Sequence, residues 1–554
     1  MQQEILGKIS TVVESLCSQD MAIQIDRSDP QFGDYATNVA LQLAKTLGKN
    51  PREIAEEIAG KLRESEEFAE VSVAGPGFIN IRLKDNALLI LVKKEPAKSL
   101  AKKKILVEYS DPNPLKPLHA GHLYTTLVGD VISRLIALAG AETIRLNYGG
   151  DVGLHTAKSM WSILRALAGE NPDDLTKIPE KDRPQWLGER YVEGTSAYED
   201  DEIAKNEIID INKRIYKLHD DSDHDSPFAQ IYWTVRQWSY DYFAELYRQL
   251  DVMPFDRFIP ESEVTPLGLE TVKQQLSAGV YEKSGEAVIF NGEKYGLHTR
   301  VFINSEGLPT YEAKDVGLSL TKWKDYNFDE SIIITANEQD QYMKVVIKSI
   351  EQFAPEPAKR TKHLKHGTVK LQGGVKMSSR KGNVVTALEI LESARQAGAE
   401  SGLNPDEKTI LAAVKYAFSK VRIGGDITYN PKESVALDGN SGPYIQYAHA
   451  RARGILNKVS GSFDLPNEIY DEDRTLVRKL GEYHEVVELA TMQLEPHHIC
   501  VYLFELSQVF NRYYEKNQVV GSEYEQHRAG IVVAYADTLK AGLAILGIDA
   551  PERM

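Results

Sequence analysis

The β-branched, apolar run Ile105-Leu106-Val107-Glu108-Tyr109 leads into a loop holding Pro112, Pro114 and Pro117. The loop is followed by the amphipathic stretch Leu123 to Leu138, which Gly140 can end. A strand, a loop and a helix in that order ask for a parallel neighbour strand, because a helix carries the chain back across the sheet. The pattern continues at Thr143 to Tyr148, Ile332 to Thr335, a helix near Gln339 to Phe353, and Gly367 to Leu371. This alternation predicts a parallel sheet with crossover helices. Such sheets bind ligands beyond the carboxyl ends of their strands, which singles out Glu108 as an acid near the end of an otherwise apolar strand.

His119-Ala120-Gly121-His122 opens the helix after that first strand. A helix start offers unpaired N–H groups and a positive dipole end, and two imidazoles at i and i+3 share its first turn, which suits phosphate. Gly121 leaves room for a flat adenine or ribose to approach the backbone. A second signature, Lys376-Met377-Ser378-Ser379-Arg380, lies in a run from Lys359 to Lys381 that has eight cations and no acid. A solvated basic loop is the usual fate of such a run. Here Gly373-Gly374 and Gly382 would hinge a lid over pyrophosphate, with a helix following from Thr386 to Ala394.

A chain of 554 residues holds roughly three to four domains. The fold class expected is multidomain α/β. A small α+β N-terminal domain (1–95) would precede a Rossmann-type parallel-sheet domain (104–400) with a helical insertion at about 155–300. A C-terminal all-α helix bundle (405–554) would follow, on the helical periodicity of Leu411 to Val421, Tyr444 to Val459, Thr475 to Leu494, Ile499 to Tyr514 and Ala529 to Leu546. Only Cys17 and Cys500 are present, so a disulfide framework and a Cys-rich zinc site are both unreadable. The longest apolar run, Ala87 to Val92, is too short to span a bilayer, and a soluble cytoplasmic protein is expected. The net charge of −16 argues against nucleic acid only on average, since phosphate affinity depends on local patches. Asp223-His224-Asp225 lacks a further cluster at ligand spacing and reads as an exposed acidic loop, so no protein metal site is assigned.

Several blocks together resemble the arginyl-tRNA synthetases, a class I aminoacyl-tRNA synthetase family. These are Val107-Glu108-Tyr109-Ser110-Asp111-Pro112-Asn113-Pro114 through His122, Asn147-Tyr148-Gly149-Gly150-Asp151, the lysine-methionine-serine loop, and Gly442-Pro443-Tyr444-Ile445-Gln446-Tyr447-Ala448-His449-Ala450-Arg451. The resemblance runs from Phe32-Gly33-Asp34-Tyr35-Ala36 to Met554. It implies activation of L-arginine by ATP and transfer to the 3′ end of tRNA(Arg), with ATP as a substrate accompanied by Mg2+ and no tightly bound cofactor. A monomer is expected. By the same resemblance, His119, His122, Lys116 and Lys376 would be catalytic, and Pro114, His119, Gly121, His122, Lys376, Met377, Ser378, Ser379 and Arg380 would hold ATP. Glu108, Asn113, Tyr311, Asp315 and Gln339 would hold arginine, and Asn80, Tyr444, Tyr447, Arg451, Tyr514 and Met554 would meet tRNA. Asp111 stands where relatives often carry serine. Ser379 stands where many class I synthetases carry a phosphate-binding lysine, and Lys116 is expected to replace that cation.

Other readings exist for the same residues. Asp315 alone would pass for a helix-surface salt bridge, and Tyr311, Tyr444 and Tyr447 for core aromatics. A nucleotidylyltransferase shares the His-x-Gly-His chemistry but does not need the helical bundle. A synthetase for glutamate or glutamine would want basic pocket residues in place of Glu108 and Asp315. A catalytically inactive tRNA-binding paralogue would be expected to have lost His119, His122 or Lys376, all of which are present.

Overall fold

A computed structural model describes residues 2–16, 22–372, 385–402, 405–461 and 463–554. Cys17 and the signature Lys376, Met377, Ser378, Ser379 and Arg380 lie outside the described residues. In the first region, the strands Ile25–Arg27, Tyr35–Thr37, Phe78–Leu83 and Phe68–Ala74 form, in that spatial order, an antiparallel sheet. The helices Gln2–Leu16, Val39–Leu47 and Pro51–Leu62 accompany it.

The central sheet is built around Lys104–Glu108, with Glu142–Gly149 and Arg257–Pro260 on one side and Glu330–Ala336 and Thr361–His366 on the other; all four pairings are parallel. Two strands differ from expectation. Arg257–Pro260 completes the sheet from inside the span expected as helical insertion, and Glu282–Ser284, Ala287–Phe290 and Arg300–Ile303 form a separate antiparallel sheet there. Val369–Leu371 pairs with Ile427–Tyr429, while the edge of the main sheet comes from Thr361–His366 inside the basic run. Strand pairing directs several of those cations to partners of the fold. Arg360 donates to the Phe328 carbonyl at 3.0 Å, Lys365 meets Asp340 at 3.4 Å and Lys370 meets Asp426 at 3.0 Å.

The insertion holds the helices Leu154–Ala166, Arg183–Asp200, Glu202–Asp220 and Pro227–Gln249 around Met160, Ile208, Ile215 and Tyr232. Its acidic runs finish helices. Asp201 caps the helix Glu202–Asp220, and Asp223 accepts from the backbone N–H groups of Asp225 and Ser226 at 3.0 Å.

The helix Ala120–Leu138 is covered on more than one side: 14 of its 19 residues are buried. Leu123, Leu127, Ile132 and Ile136 belong to the core against the central sheet, whereas Val131 and Leu135 join the core shared by the N-terminal region and the C-terminal helices. That second contact explains why a stretch patterned as amphipathic is buried almost throughout. The C-terminal helices are Glu407–Ser419, Gly442–Leu456, Arg474–Leu480, Tyr483–Gln493, His497–Lys516 and Glu525–Ile545. The expected single helix from Thr475 to Leu494 breaks at Gly481-Glu482, where a Cβ on Gly481 would stand 3.1 Å from the Leu91 side chain. Among the described residues, no helix is long and apolar enough to cross a membrane.

Candidate active site

His119 is the N-cap of the helix Ala120–Leu138, with extended backbone geometry. Its Nδ1 accepts from the N–H groups of Gly121 (3.1 Å) and His122 (3.3 Å), and His122 Nδ1 accepts from the His119 N–H at 3.3 Å. The two rings stack at 3.7 Å. Burial, with Lys116 adding to it, pulls the His119 pKa down to about 3 and holds His122 well below the ordinary range, so both rings are neutral at pH 7. A neutral ring that accepts at Nδ1 carries its proton on Nε2. The capping box therefore fixes the tautomer and leaves each Nε2–H as a donor. The structure also revises the reason for Gly121, since a Cβ there would stand 2.9 Å from His119 Cε1. The glycine makes room for the capping imidazole itself.

The segment after the lysine-methionine-serine loop returns to this turn. Ala120 N–H donates to the Val385 carbonyl and Ala387 N–H to the Leu118 carbonyl, both at 2.9 Å. Thr386 and Glu389 form a capping box on the helix Ala387–Glu400. The carboxyl-terminal anchor of the second signature is thus hydrogen-bonded to the turn that carries the first.

Beyond the central strands lies a cavity of about 620 Å³. It is lined by all five residues assigned to arginine, Glu108, Asn113, Tyr311, Asp315 and Gln339, and by Lys116 and Asp111. The loop that presents Asp111, Asn113 and Lys116 is strained: Ser110, Asp111 and Leu115 have φ of 75°, 48° and 63°. Asn113 Oδ1 accepts from the Gly150 N–H at 2.9 Å, and a Cβ on Gly150 would stand 2.7 Å from that oxygen, so the two loops meet only because residue 150 is glycine. Asp151, from the same block, is fully buried; it accepts from Ser262 N–H at 2.9 Å and pairs with Arg236 at 2.9 Å, fixing a helix start beside the cavity.

Charge in the cavity is uneven. Glu108 meets Lys322 at 2.8 Å, Glu261 meets Lys314 at 2.6 Å and Glu312 meets Arg300 at 3.2 Å. Asp315 accepts from the Tyr342 hydroxyl, and Asp111 from the Tyr148 N–H at 2.8 Å. Neither has a cation at ion-pair distance among the described residues. Burial pushes Asp315 up to about 7 despite the Tyr342 bond, and burial followed by the nearby Glu108 holds Asp111 well above the ordinary carboxylate range. The Tyr148 hydroxyl, also lining the cavity, is buried without a hydrogen-bond partner.

The other assigned residues fall as follows. Lys116 stands 5.2 Å over the Tyr191 ring of the insertion, and burial lowers its pKa. Pro114 is buried in the loop. The Tyr311 hydroxyl lies 3.1 Å from His155 Nδ1 and the residue is half exposed, which removes it from the core. Gln339 is exposed just past the strand Glu330–Ala336. On the C-terminal helices, Tyr444 accepts from Asn511 at 2.9 Å, Arg451 meets Asn511 at 3.3 Å and lies 5.2 Å over the Tyr514 ring, and Tyr447 is 42% exposed. Met554 is exposed at the rim of a separate cavity of about 790 Å³. Asn80 differs from these surface positions: it is 8% exposed within the N-terminal sheet, opposite Ala36 and Ser72. Sequence reasoning passed over Lys322, Tyr342, Tyr148 and Tyr191 as site residues. Only Tyr148 carried a signal, its place in the Asn147-to-Asp151 block.

Family models match three successive parts of the chain. The Arginyl tRNA synthetase N terminal domain matches residues 1–83, the tRNA synthetases class I (R) catalytic domain residues 85–422, and the DALR anticodon binding domain residues 445–554. A curated arginine–tRNA ligase of Porphyromonas gingivalis is 28% identical over 599 aligned residues, covering 100% of this chain and 99% of the relative. One from Bdellovibrio bacteriovorus is 29% identical, covering 94% and 92%. The solved Thermus thermophilus arginyl-tRNA synthetase shares the fold over the full length of both chains, with TM-score 0.81 at 24% identity. The Plasmodium falciparum arginyl-tRNA synthetase does so at TM-score 0.81 and 20% identity, covering 100% of this chain and 99% of that one. The match of the catalytic-domain model across more than half of the sequence, flanked by the two accessory domains, places this chain in the class I arginyl-tRNA synthetase family.

Proposed function

We propose that this chain is an active arginine–tRNA ligase, forming arginyl-adenylate from L-arginine and ATP and passing the arginyl group to tRNA(Arg). The observation that carries the reading is the cavity in which, among the described residues, Asp111 and Asp315 have no cation at ion-pair distance while every other lining acid has one. A guanidinium supplies the missing charge, and its planar fork suits two carboxylates. Glu108, already held by Lys322, shapes the pocket and adds negative potential. Asn113, Tyr311 and Gln339 complete the polar lining.

In the first step the arginine carboxylate attacks the α-phosphorus of ATP and pyrophosphate departs. Negative charge then grows on phosphoryl oxygens, where preorganised donors contribute most. The Nε2–H groups of His119 and His122 are assigned to those oxygens, with Gly121 and Pro114 shaping the turn beneath ATP. Lys116 is assigned the contact that Ser379 cannot make by charge, and Lys376, Met377, Ser378, Ser379 and Arg380 are assigned to the pyrophosphate end. Mg2+ enters as part of the ATP substrate. In the second step a ribose hydroxyl of the tRNA 3′ end takes the arginyl group and AMP leaves. Tyr444, Tyr447, Arg451 and Tyr514 form the proposed tRNA face, with Met554 and Asn80 as further candidate contacts. The protein is proposed to work as a cytoplasmic monomer.

Arginine-dependent ATP–pyrophosphate exchange, with and without tRNA(Arg), tests the activity. Absence of both exchange and aminoacylation would support the inactive paralogue. The Lys116→Met variant should lose exchange by about a hundredfold or more while keeping its melting temperature, as expected for a charge-assisted contact in a closed site. Near-normal exchange would remove Lys116 from the mechanism.

A further inference from the structure

Far from the cavity in sequence, Glu495, His497 and His498 bring one oxygen and two ring nitrogens together, all within 4.8 Å of one another. Leu494, at φ 57°, ends the helix Tyr483–Gln493, and Pro496 caps the helix His497–Lys516. This left-handed corner turns the three side chains to the same point. Glu495 Oε2 lies 3.4 Å from His497 Nδ1 and 3.4 Å from His498 Nε2. A tetrahedral metal with bonds of about 2.0–2.1 Å sets its ligands roughly 3.3–3.4 Å apart. Both ligand pairs stand at that separation without a metal.

The surroundings support a site rather than a chance meeting. Arg422 bonds the other carboxylate oxygen, Oε1, at 3.1 Å, which orients Glu495 and leaves Oε2 turned to the rings. His497 Nδ1 is buried and has no hydrogen-bond partner among the described residues. His498 Nε2 has one, Gln493 Oε1 at 2.8 Å, so a metal there would replace the shared proton and bring Gln493 within reach as an oxygen donor. The three side chains are 12%, 18% and 24% exposed, enclosed yet open to solution on one side.

We propose that Glu495, His497 and His498 form a site for one borderline divalent transition-metal ion such as Zn2+, distinct from the aminoacylation centre. Two imidazoles and a carboxylate match the donor preference of late first-row ions and not of Mg2+ or Ca2+. Leu494 of the same corner is buried in the catalytic core, so the ion would clip together the two helices of the bundle where they meet the catalytic domain.

The test uses the untagged, full-length protein stripped of metal by a chelator and dialysed. Titration with zinc chloride should show one equivalent bound, and Co2+ should give the visible bands of four-coordinate cobalt. Glu495→Gln, His497→Ala and His498→Ala should each weaken binding by at least about tenfold, since even an outer-shell change commonly costs that much. Unchanged melting temperatures of the metal-free variants show that folding is intact, and His498→Gln serves as the milder change if alanine disturbs the helix start. Failure to bind an equivalent of either ion overturns the proposal. So does equal affinity in the Glu495→Gln, His497→Ala, His498→Ala triple variant, which would move the ion to another pair such as His119 and His122.

Discussion

Asp34 and Asp315 both sit in enclosed settings, yet among the described residues the fold gives the first two guanidinium groups and the second none. Asp34 is 1% exposed; it meets Arg474 at 2.9 Å and Arg478 at 3.2 Å and accepts from the Leu83 N–H at 2.7 Å. Those bonds dock the N-terminal sheet onto the C-terminal helices, with Arg27 and Tyr35 reaching Glu485 beside them. Among the described residues, Asp315 has only the Tyr342 hydroxyl, and Asp111 only a backbone N–H. Where charge is balanced within the chain, burial serves docking. Acids that no described cation reaches at ion-pair distance, beside an open cavity, mark the place of a cationic ligand.

The largest effect should come from removing the cation that holds Glu108. Lys322→Met leaves Glu108 buried without its partner, and breaking such a pair costs about 3–5 kcal/mol. Chemical denaturation should show that loss; wild-type stability would mean that Glu108 is held by other groups.

Asp315→Asn should next raise the arginine KM by about a hundredfold or more, because a desolvated guanidinium loses its counter-charge at about 2–4 kcal/mol. ATP binding, measured by calorimetry, should be unchanged. An unaltered arginine KM would place the guanidinium elsewhere.

Asp34→Asn sharpens the contrast from the structural side. It should destabilise the protein by about 2–3 kcal/mol, below the full cost of a broken buried pair because Arg474 also meets Asp85 and Arg478 also meets Glu482. The arginine KM of the folded fraction should stay at its wild-type value. A selective rise in that KM would show that the docking cluster reaches the catalytic pocket.

The smallest effect concerns pH. With Asp315 at about 7 in the empty pocket, the carboxyl is largely protonated below that value, and a guanidinium binds the ionised form. Arginine binding should therefore release protons below neutral pH. Affinity should rise by up to about tenfold per pH unit up to about 7 and flatten above it. Calorimetry in buffers of different ionisation enthalpy reads the released proton, and a binding profile flat from pH 5.5 to 7 would show that Asp315 is already ionised.

Local order was legible in the sequence. The strand at 105–109, the helix after His119 and the alternation behind the parallel sheet depend on near-neighbour patterning, which the chain carries without tertiary help. The aminoacylation signature was legible because its residues are contiguous. The cation partners were not. Lys322 faces Glu108 across 214 positions and Arg474 faces Asp34 across 440, and no local rule relates such residues. The edge strand Thr361–His366 was obscured for a related reason: two lysines and two histidines suit an exposed strand as well as a basic loop, and only pairing with Glu330–Ala336 decides between them.

By itself, the sequence determined the first strand and the helix after it, the placing of His119 and His122 on that helix's first turn and the family's signature blocks, all of which rest on short-range spacing. Tertiary structure alone decided the convergence of Glu108, Asp111 and Asp315 on one cavity and the pairing of Glu108 with Lys322. The physical reason is that burial and charge compensation are properties of distance in space, and a carboxylate's partner is set by which strand ends the fold brings together.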